Sequence, residues 1–222
     1  MPAMQGPMLQ SAFSHVRAWV FDLDNTLYPP TDRLFDQIEV KMRDFVMDAV
    51  GVDAVEADRL RKHYWQTYGT SLAGLMHEHG VPPWPFLHDV HQIDLSHMTK
   101  DMALAAMIKD LPGRKIVYTN GTEPYAQNVL KARGLGGLFD AVYGVEHANY
   151  VPKPRAEAFQ QVFATDGIDT QNAAMFEDEL RNLEVPHAMG MRTIHVAETR
   201  QDAPYLHHHT HDLTAFLQEL TG

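Results

Sequence analysis

Two carboxylates, Asp22 and Asp24, directly follow a short apolar segment at residues 17–21. At the end of a strand, side chains two positions apart can turn toward the same pocket. One carboxylate can act as a nucleophile, and a second can donate and accept the proton that the reaction moves. In that division, Asp22 attacks a phosphorus atom, and Asp24 protonates the leaving oxygen and then activates water. The pair therefore indicates phosphoryl transfer through an aspartyl-phosphate.

Five more polar side chains lie where three later strands of the predicted fold end. Ligands of an open α/β sheet bind beyond the carboxyl ends of its strands. We therefore expect all five side chains to lie close to Asp22 and Asp24. In chain order they are Thr119, Asn120, Lys153, Glu177 and Asp178.

A magnesium ion would suit this set of side chains. A carboxylate that approaches a phosphate monoester is repelled unless a cation offsets part of the negative charge. Mg²⁺ prefers oxygen ligands and takes one or two carboxylates together with waters and phosphate oxygens. Asp22 and Asp178 are the expected ligands, and Glu177 is a candidate for an outer contact. The expected partner is a small phosphorylated metabolite.

The remaining polar residues are expected to bind the phosphate. Lys153 would hold one phosphate oxygen and offset the charge of Asp22. The hydroxyl of Thr119 and nearby backbone amides, together with Asn120, would donate to the other oxygens.

Alternating strand and helix patterns predict an α/β fold. Short apolar runs indicate strands, and apolar residues at helical spacing indicate helices. Repeated strand–helix units favour a mostly parallel, Rossmann-like sheet with helices on both faces. Strands are predicted at residues 17–21, 115–119, 141–145, 173–176 and 193–196, and helices of this core at residues 124–132, 155–165, 185–189 and 212–220.

Four predicted helices stand between the first and second strands, which indicates an inserted helical cap. They are expected at residues 31–50, 53–68, 71–78 and 85–91. The predicted division is an N-terminal tail at residues 1–16, a catalytic core at residues 17–28 and 100–222, and a helical cap at residues 29–99.

The composition excludes several classes of function. The 222 residues carry 18 basic and 29 acidic side chains, and the formal net charge of −11 disfavours binding to nucleic-acid polymers or anionic membranes. The absence of cysteine excludes disulfides, thiolate zinc sites and a cysteine nucleophile. Residues 1–13 lack the pattern of a secretion signal, and no apolar run approaches the roughly 18 residues of a membrane span. We therefore expect a cytoplasmic protein, and the sequence leaves its oligomeric state open.

Four short motifs resemble those of the haloacid dehalogenase-like superfamily. They are residues 22–26 (Asp-Leu-Asp-Asn-Thr), 119–121 (Thr-Asn-Gly), 153–154 (Lys-Pro) and 177–178 (Glu-Asp), in the family's order. The resemblance implies that Asp22 is the nucleophile and Asp24 the acid and base, as in the phosphatases of the superfamily. Its dehalogenases lack the second aspartate, so Asp24 favours phosphoryl transfer. The implied magnesium ligands are Asp22, the backbone carbonyl of Asp24, and Asp178.

Within the superfamily, the cap is most similar to the pyrimidine 5′-nucleotidase-like branch. The similarity rests on residues 27–29 (Leu-Tyr-Pro), 68–75 (Tyr-Gly-Thr-Ser-Leu-Ala-Gly-Leu) and 90–95 (Val-His-Gln-Ile-Asp-Leu). It implies nucleoside 5′-monophosphates, pyrimidine ones first, among other small phosphates. One departure is Glu179, which stands where the branch usually has a small residue. Its carboxylate would either alter the affinity for the ion or point to solvent.

Two other functions remain open at this point. In a phosphomutase acting on a sugar phosphate, Asp22 would return its phosphoryl group to a sugar, and the same aspartate pair would serve. A non-catalytic protein that senses or binds phosphate would keep the fold, but loss of one site residue would be its expected sign.

Two clusters outside the motifs have an ordinary structural interpretation. Consecutive histidines rarely converge on one ion, so the histidine-rich segment is expected in an exposed loop rather than at a metal site. It comprises His207, His208, His209 and His211. An aromatic cluster of the cap would be able to stack on a base, but its helical spacing favours packing. It comprises His63, Tyr64, Trp65 and Tyr68.

Overall fold

A six-stranded, fully parallel sheet lies at the centre of the computed structural model, which describes residues 6–222. The strands are β1 Ala18–Phe21, β2 Arg114–Tyr118, β3 Ala141–Tyr143, β4 Ala173–Glu177, β5 Arg192–Val196 and β6 His208–Thr210. Their spatial order is β3-β2-β1-β4-β5-β6. The predicted α/β fold with a Rossmann-like sheet is confirmed.

Helices cover both faces of the sheet because its central strands are apolar on both faces. Every residue of β1 and of β4 is buried, as is typical of a parallel sheet between two helical layers. Trp19 and Phe21 belong to one core cluster, whereas Ala18 and Val20 belong to the other. The first layer contains α1 Gly6–Phe13, α6 Met102–Asp110, α7 Glu123–Arg133 and α10 Leu213–Thr221, and the second contains α8 Ala156–Asp166 and α9 Glu184–Ala188.

The parallel register brings the ends of the central strands to one level. Phe21, the last residue of β1, pairs with Val117 of β2 and with Phe176 of β4. Asp22 therefore lies at the same edge of the sheet as the residues that follow β2 and β4. This edge is where ligands of open α/β sheets bind.

Five α-helices lie between β1 and β2 along the chain; the last, α6, packs against α10 of the core, and the first four form the cap. They are α2 Leu34–Val50, α3 Ala54–Tyr68, α4 Ser71–His79 and α5 Pro83–Val90. The Asp53 carboxylate accepts from the Glu56 amide at 2.9 Å and starts α3, and Gly51 ends α2 with a φ of 76°. None of the helices in residues 6–222 combines the length and the apolar character that crossing a membrane requires.

Gly74 allows α3 and α4 to pack closely, and we expect Gly74→Ala to destabilise the cap. A Cβ atom at this position would lie 2.1 Å from Cγ and 2.4 Å from Cβ of Tyr64, a buried side chain that cannot move away freely. Overpacking of this kind costs about 1–3 kcal/mol, more than alanine gains in helix propensity over glycine. Urea unfolding measures the difference. His77→Ala, at an exposed position of the same helix, is the control, and equal stability of Gly74→Ala and wild type would contradict the packing.

Part of the predicted N-terminal tail is folded against the core. Residues 1–5 lie outside the described part of the chain, but α1 occupies Gly6–Phe13 and packs on α10. Leu9 and Phe13 are buried in the core, so this segment contributes to the main hydrophobic cluster.

The prediction of an exposed loop for the histidine-rich segment holds for His207 and His211, which are exposed and lie outside strands, but it is wrong for His208 and His209. His208–Thr210 form β6, a parallel edge strand paired with β5. The Thr193 amide donates to Nδ1 of His207 at 3.2 Å, and burial lowers the pKa of His208 to about 4. Histidine has no strong preference for strands, so pairing with β5 rather than local sequence determines this strand.

Candidate active site

Asp22 and Asp24 lie on one side of the chain as it leaves β1. The Asp22 amide donates to the Phe176 carbonyl at 2.9 Å, which extends the β1–β4 pairing by one residue. Leu23 is fully buried, so its two neighbours turn the other way and line the same cavity. The predicted convergence of this pair is present in the structure.

The turn after Asp24 reaches the far side of the site through Asn25. Asn25 has a φ of 60°, a left-handed conformation that asparagine tolerates better than most residues. Its side-chain amide donates to Oδ2 of Asp178 at 3.3 Å. The turn therefore connects the loop after β1 with the loop after β4.

The Lys153 ammonium lies between carboxylates inside the protein. It is 1% exposed and donates to Oδ1 of Asp22 at 2.7 Å, to Oε2 of Glu177 at 2.6 Å and to the Tyr118 carbonyl at 3.1 Å. These three acceptors match its three protons. In this structure Lys153 orients Asp22 and offsets its charge, whereas the predicted contact with a phosphate oxygen would need one of these bonds to open.

The side-chain amide of Asn120 hydrogen-bonds the backbone of Lys153. Its Oδ1 accepts from the Lys153 amide at 2.8 Å, and its Nδ2 donates to the Lys153 carbonyl at 3.1 Å. Both ends of the side-chain amide are therefore engaged with one residue. Asn120 was predicted to bind phosphate, and the structure gives it a positioning contact that sequence reasoning missed.

Asp22, Glu177 and Asp178 form an acidic cluster with room for a cation. One carboxylate oxygen from each lies within 4.8 Å of the others. Burial and the nearby Glu177 carboxylate raise the pKa of Asp22 to about 7, although Lys153 opposes the shift. The same two causes raise the pKa of Asp178 to about 9. A single ammonium against three carboxylates leaves excess negative charge, and a hard divalent cation with oxygen ligands would fit there.

We expect this excess charge to destabilise the metal-free protein as the pH rises. When folding raises the pKa of an acid, the protein loses stability as the pH rises from the unfolded pKa of that acid to its folded pKa. For Asp178 this range runs from about 4 to about 9. In the presence of EDTA, Asp178→Asn should therefore be more stable than the wild type, and the difference should be larger at pH 8 than at pH 5. We also expect magnesium to raise the melting temperature of the wild type, and Asp178→Asn should lose most of that rise.

Thermal melting at both pH values, with and without magnesium, measures these differences. Asp44→Asn, which changes an exposed carboxylate of α2, is the matched control and should behave as wild type. An equal magnesium response in Asp178→Asn and wild type would rule out a metal site that uses Asp178.

Two tyrosines hold Asp24. The hydroxyls of Tyr28 and Tyr125 each donate to Oδ1 at 2.6 Å, and the Thr119 hydroxyl lies 3.4 Å from Oδ2. Burial and the Asp22 charge raise the pKa of Asp24 to about 6, while the two phenols limit the shift. Tyr28 carried a sequence signal, since it belongs to the Leu-Tyr-Pro segment after the first motif, but Tyr125 had none.

Thr119 is fully buried at the end of β2 and shapes the loop that follows. Its hydroxyl oxygen accepts from the Gly121 amide at 2.9 Å. This contact leaves the hydroxyl proton directed toward Asp24 and the cavity.

The cavity has a volume of about 700 Å³ and lies between the polar edge of the sheet and the cap. Its cap side includes the apolar residues Phe35, Ile38, Met42, Phe86 and Val90. Trp65 also lines it, whereas Tyr64 is buried and Tyr68 hydrogen-bonds Glu78. Among the four residues of the aromatic cluster, Trp65 is therefore the one that lines the cavity.

Arg181 connects the loop after β4 with the cap. It donates to the carbonyls of Trp65 at 3.0 Å and Gly69 at 3.1 Å, and its guanidinium lies 3.7 Å from the centre of the Trp65 ring. Glu179, the residue that departs from the expected pattern, has its carboxylate 4.0 Å from Arg181, and its amide donates to Glu177. The Glu179 carboxylate is thus near Arg181 and outside the acidic cluster.

Comparison with known proteins identifies the family. The sequence model of the haloacid dehalogenase-like hydrolases matches residues 16–190. The chain belongs to this family. This haloacid dehalogenase-like (HAD) hydrolase is also similar to Phosphate metabolism protein 8 of Saccharomyces cerevisiae. The two sequences are 25% identical over 206 residues. The alignment covers 83% of this chain and 63% of the yeast protein, so the chain spans less than two thirds of that relative.

Solved structures share the fold of this HAD hydrolase. A HAD hydrolase from Bacillus subtilis bound to magnesium has a TM-score of 0.60 at 15% identity, covering 92% of this chain and 98% of that one. A HAD phosphatase from Thermococcus onnurineus has a TM-score of 0.60 at 18% identity, covering 92% and 96%. A 2-haloacid dehalogenase from Pseudomonas syringae has a TM-score of 0.57 at 19% identity, covering 92% and 98%. Since phosphatases and dehalogenases share the fold, the choice between these reactions depends on the site residues.

Proposed function

We propose that this hydrolase is a magnesium-dependent phosphatase that cleaves small phosphomonoesters through an aspartyl-phosphate on Asp22. The observation that carries the proposal is a second carboxylate, Asp24, held by two phenols in the cavity that Asp22 also lines. A dehalogenase of the family needs the first aspartate but lacks the second. The raised pKa of Asp24, about 6, suits a group that donates and accepts a proton near neutral pH.

In the first step, a carboxylate oxygen of Asp22 attacks phosphorus, and the bond from phosphorus to the leaving oxygen breaks. Lys153, 2.7 Å from Oδ1, keeps Asp22 oriented and partly neutralises it. Asp24 gives its proton to the leaving oxygen. Mg²⁺ held by Asp22 and Asp178 would offset the negative charge of the phosphate and orient it.

In the second step, water attacks the phosphorus of the aspartyl-phosphate. Asp24, now ionised, accepts the proton of that water, and the bond between phosphorus and the Asp22 oxygen breaks. Inorganic phosphate leaves, and both carboxylates return to their starting states. The Thr119 hydroxyl would donate to a phosphate oxygen in both steps.

Nucleoside 5′-monophosphates, pyrimidine ones first, are the substrates that we propose to test. A cavity of about 700 Å³ holds much more than a phosphate group, and its apolar cap side would suit a flat ring. The similarity to a yeast protein of phosphate metabolism supports a small phosphorylated metabolite as the substrate class.

Release of inorganic phosphate from a panel of compounds tests the proposal. The panel contains pyrimidine and purine 5′-monophosphates, sugar phosphates and a 2-haloacid, each with magnesium and with EDTA. We expect phosphate release that requires magnesium and is fastest with a pyrimidine nucleotide. Halide release from the 2-haloacid without phosphate release from any ester would overturn the proposal, and transfer of label between sugar positions would point to a mutase.

A further inference from the structure

The end of the cap contacts the core through a pair of stacked rings. His91 directly follows α5, and its imidazole lies 4.3 Å from the Tyr125 ring, centre to centre, at an interplanar angle of 9°. Its Nδ1 is 3.3 Å from the Thr122 hydroxyl. Tyr125 and Thr122 belong to the start of α7, so this contact joins the cap to the core.

Tyr125 continues the contact to Asp24. Its hydroxyl donates to Oδ1 of Asp24 at 2.6 Å, and the hydroxyl of Tyr28 donates to the same oxygen. Oδ1 already accepts two hydrogen bonds at 2.6 Å, whereas the Thr119 hydroxyl lies 3.4 Å from Oδ2, so Oδ2 is the oxygen better placed to carry the proton for the leaving group. The orientation of Oδ2 thus depends on where the Tyr125 ring lies.

The Tyr125 ring has little freedom in this position. The side chain is 3% exposed, and a Cβ atom at Gly121 would lie 2.8 Å from its Cδ1. His91 covers the ring from the cap. Removal of the imidazole would open space beside a ring whose hydroxyl fixes a carboxylate, and small displacements of a proton donor have large effects on rate.

We propose that His91 is a positioning residue for Asp24, acting through the stacked ring of Tyr125, so that docking of the cap aligns the proton donor. The inference rests on the proposed function, in which Asp24 protonates the leaving oxygen. It adds that a residue of the cap, remote in sequence from every catalytic motif, controls that proton transfer.

The test compares leaving groups that differ in their need for a proton. An alkyl phosphate requires protonation of its leaving oxygen, whereas 4-nitrophenyl phosphate leaves as a stable anion. His91→Ala should lower kcat/KM for the alkyl ester roughly 10- to 100-fold, a part of the 10²–10⁴-fold that positioned proton transfer supplies. The loss with 4-nitrophenyl phosphate should be about threefold or less, because its leaving oxygen needs little help from an acid.

Three variants complete the experiment. His91→Phe keeps a flat ring over Tyr125 and should restore most of the activity with the alkyl ester. Tyr125→Phe removes only the hydroxyl and should show the same dependence on the leaving group as His91→Ala. His88→Ala, at an exposed position of the same helix, should match wild type with both substrates.

Each outcome decides the inference. Equal losses of His91→Ala with both esters, no loss with either, or a change in KM alone would overturn it. If His91→Ala does not fold, Tyr125→Phe and His91→Phe still decide, because a leaving-group effect absent from Tyr125→Phe contradicts the connection. The proposed function fails separately if wild type cleaves neither ester, or if Asp24→Asn shows no dependence on the leaving group.

Discussion

Asp22→Asn is expected to lower phosphate release by about 10⁴-fold or more, because the amide cannot act as the nucleophile. The substitution preserves size, so the packing around a side chain that is 5% exposed should be unchanged. Lys153 keeps its hydrogen bonds to Glu177 and to the Tyr118 carbonyl. We therefore expect circular dichroism and cooperative unfolding like those of wild type.

The control for this variant is Asp44→Asn, the same chemical change at an exposed carboxylate of α2. It should retain full activity. Residual activity of Asp22→Asn above about one hundredth of wild type, in a preparation free of other phosphatases, would contradict nucleophilic attack by Asp22.

Lys153→Met is expected to lower both stability and activity. The substitution removes the ammonium that hydrogen-bonds the Asp22 and Glu177 carboxylates and leaves their charges uncompensated. Loss of one partner from a buried ion pair costs about 3–5 kcal/mol, and loss of a group that stabilises the reacting charges lowers the rate roughly 10²- to 10³-fold. The cost should be larger at pH 8 than at pH 5, because Asp22, with a pKa raised to about 7, takes up a proton at the lower pH.

Urea unfolding in EDTA at both pH values measures this cost. Lys131→Met, which removes an exposed ammonium of α7, is the matched control and should change stability by less than about 0.5 kcal/mol. If Lys153→Met unfolds at the same urea concentration as wild type, Lys153 does not compensate the buried carboxylates.

The sequence was sufficient for the strands that carry the site. β1 and β4 are buried on both faces, so their apolar runs are nearly continuous, and acidic residues after such runs stand out. Parallel strands end at one edge, which explains why Asp22 and Asp178 could be expected together. The short edge strand β6 was missed because its pairing with β5 depends on contacts such as that of Thr193 with His207.

The sequence was not sufficient for the residues that hold the site in place. Tyr125 lies 101 positions from Asp24 along the chain, and the hydrogen bond between them depends on how α7 packs against the loop after β1. Asn120 was read as a donor to phosphate, whereas both atoms of its amide bind the backbone of Lys153. Such contacts depend on the packing of the folded chain, and neither periodicity nor motif spacing reports them.

Detection of a phosphoryl group on Asp22 tests the account most directly. Wild type and Asp24→Asn are mixed with 4-nitrophenyl phosphate and magnesium, quenched in acid within one turnover, and digested for peptide mass spectrometry. We predict one added phosphoryl group on Asp22, with more of it in Asp24→Asn because the water that hydrolyses the intermediate lacks its base. Phosphorylation of a different residue, or a complete turnover with no phosphorylated peptide in either protein, would contradict the mechanism.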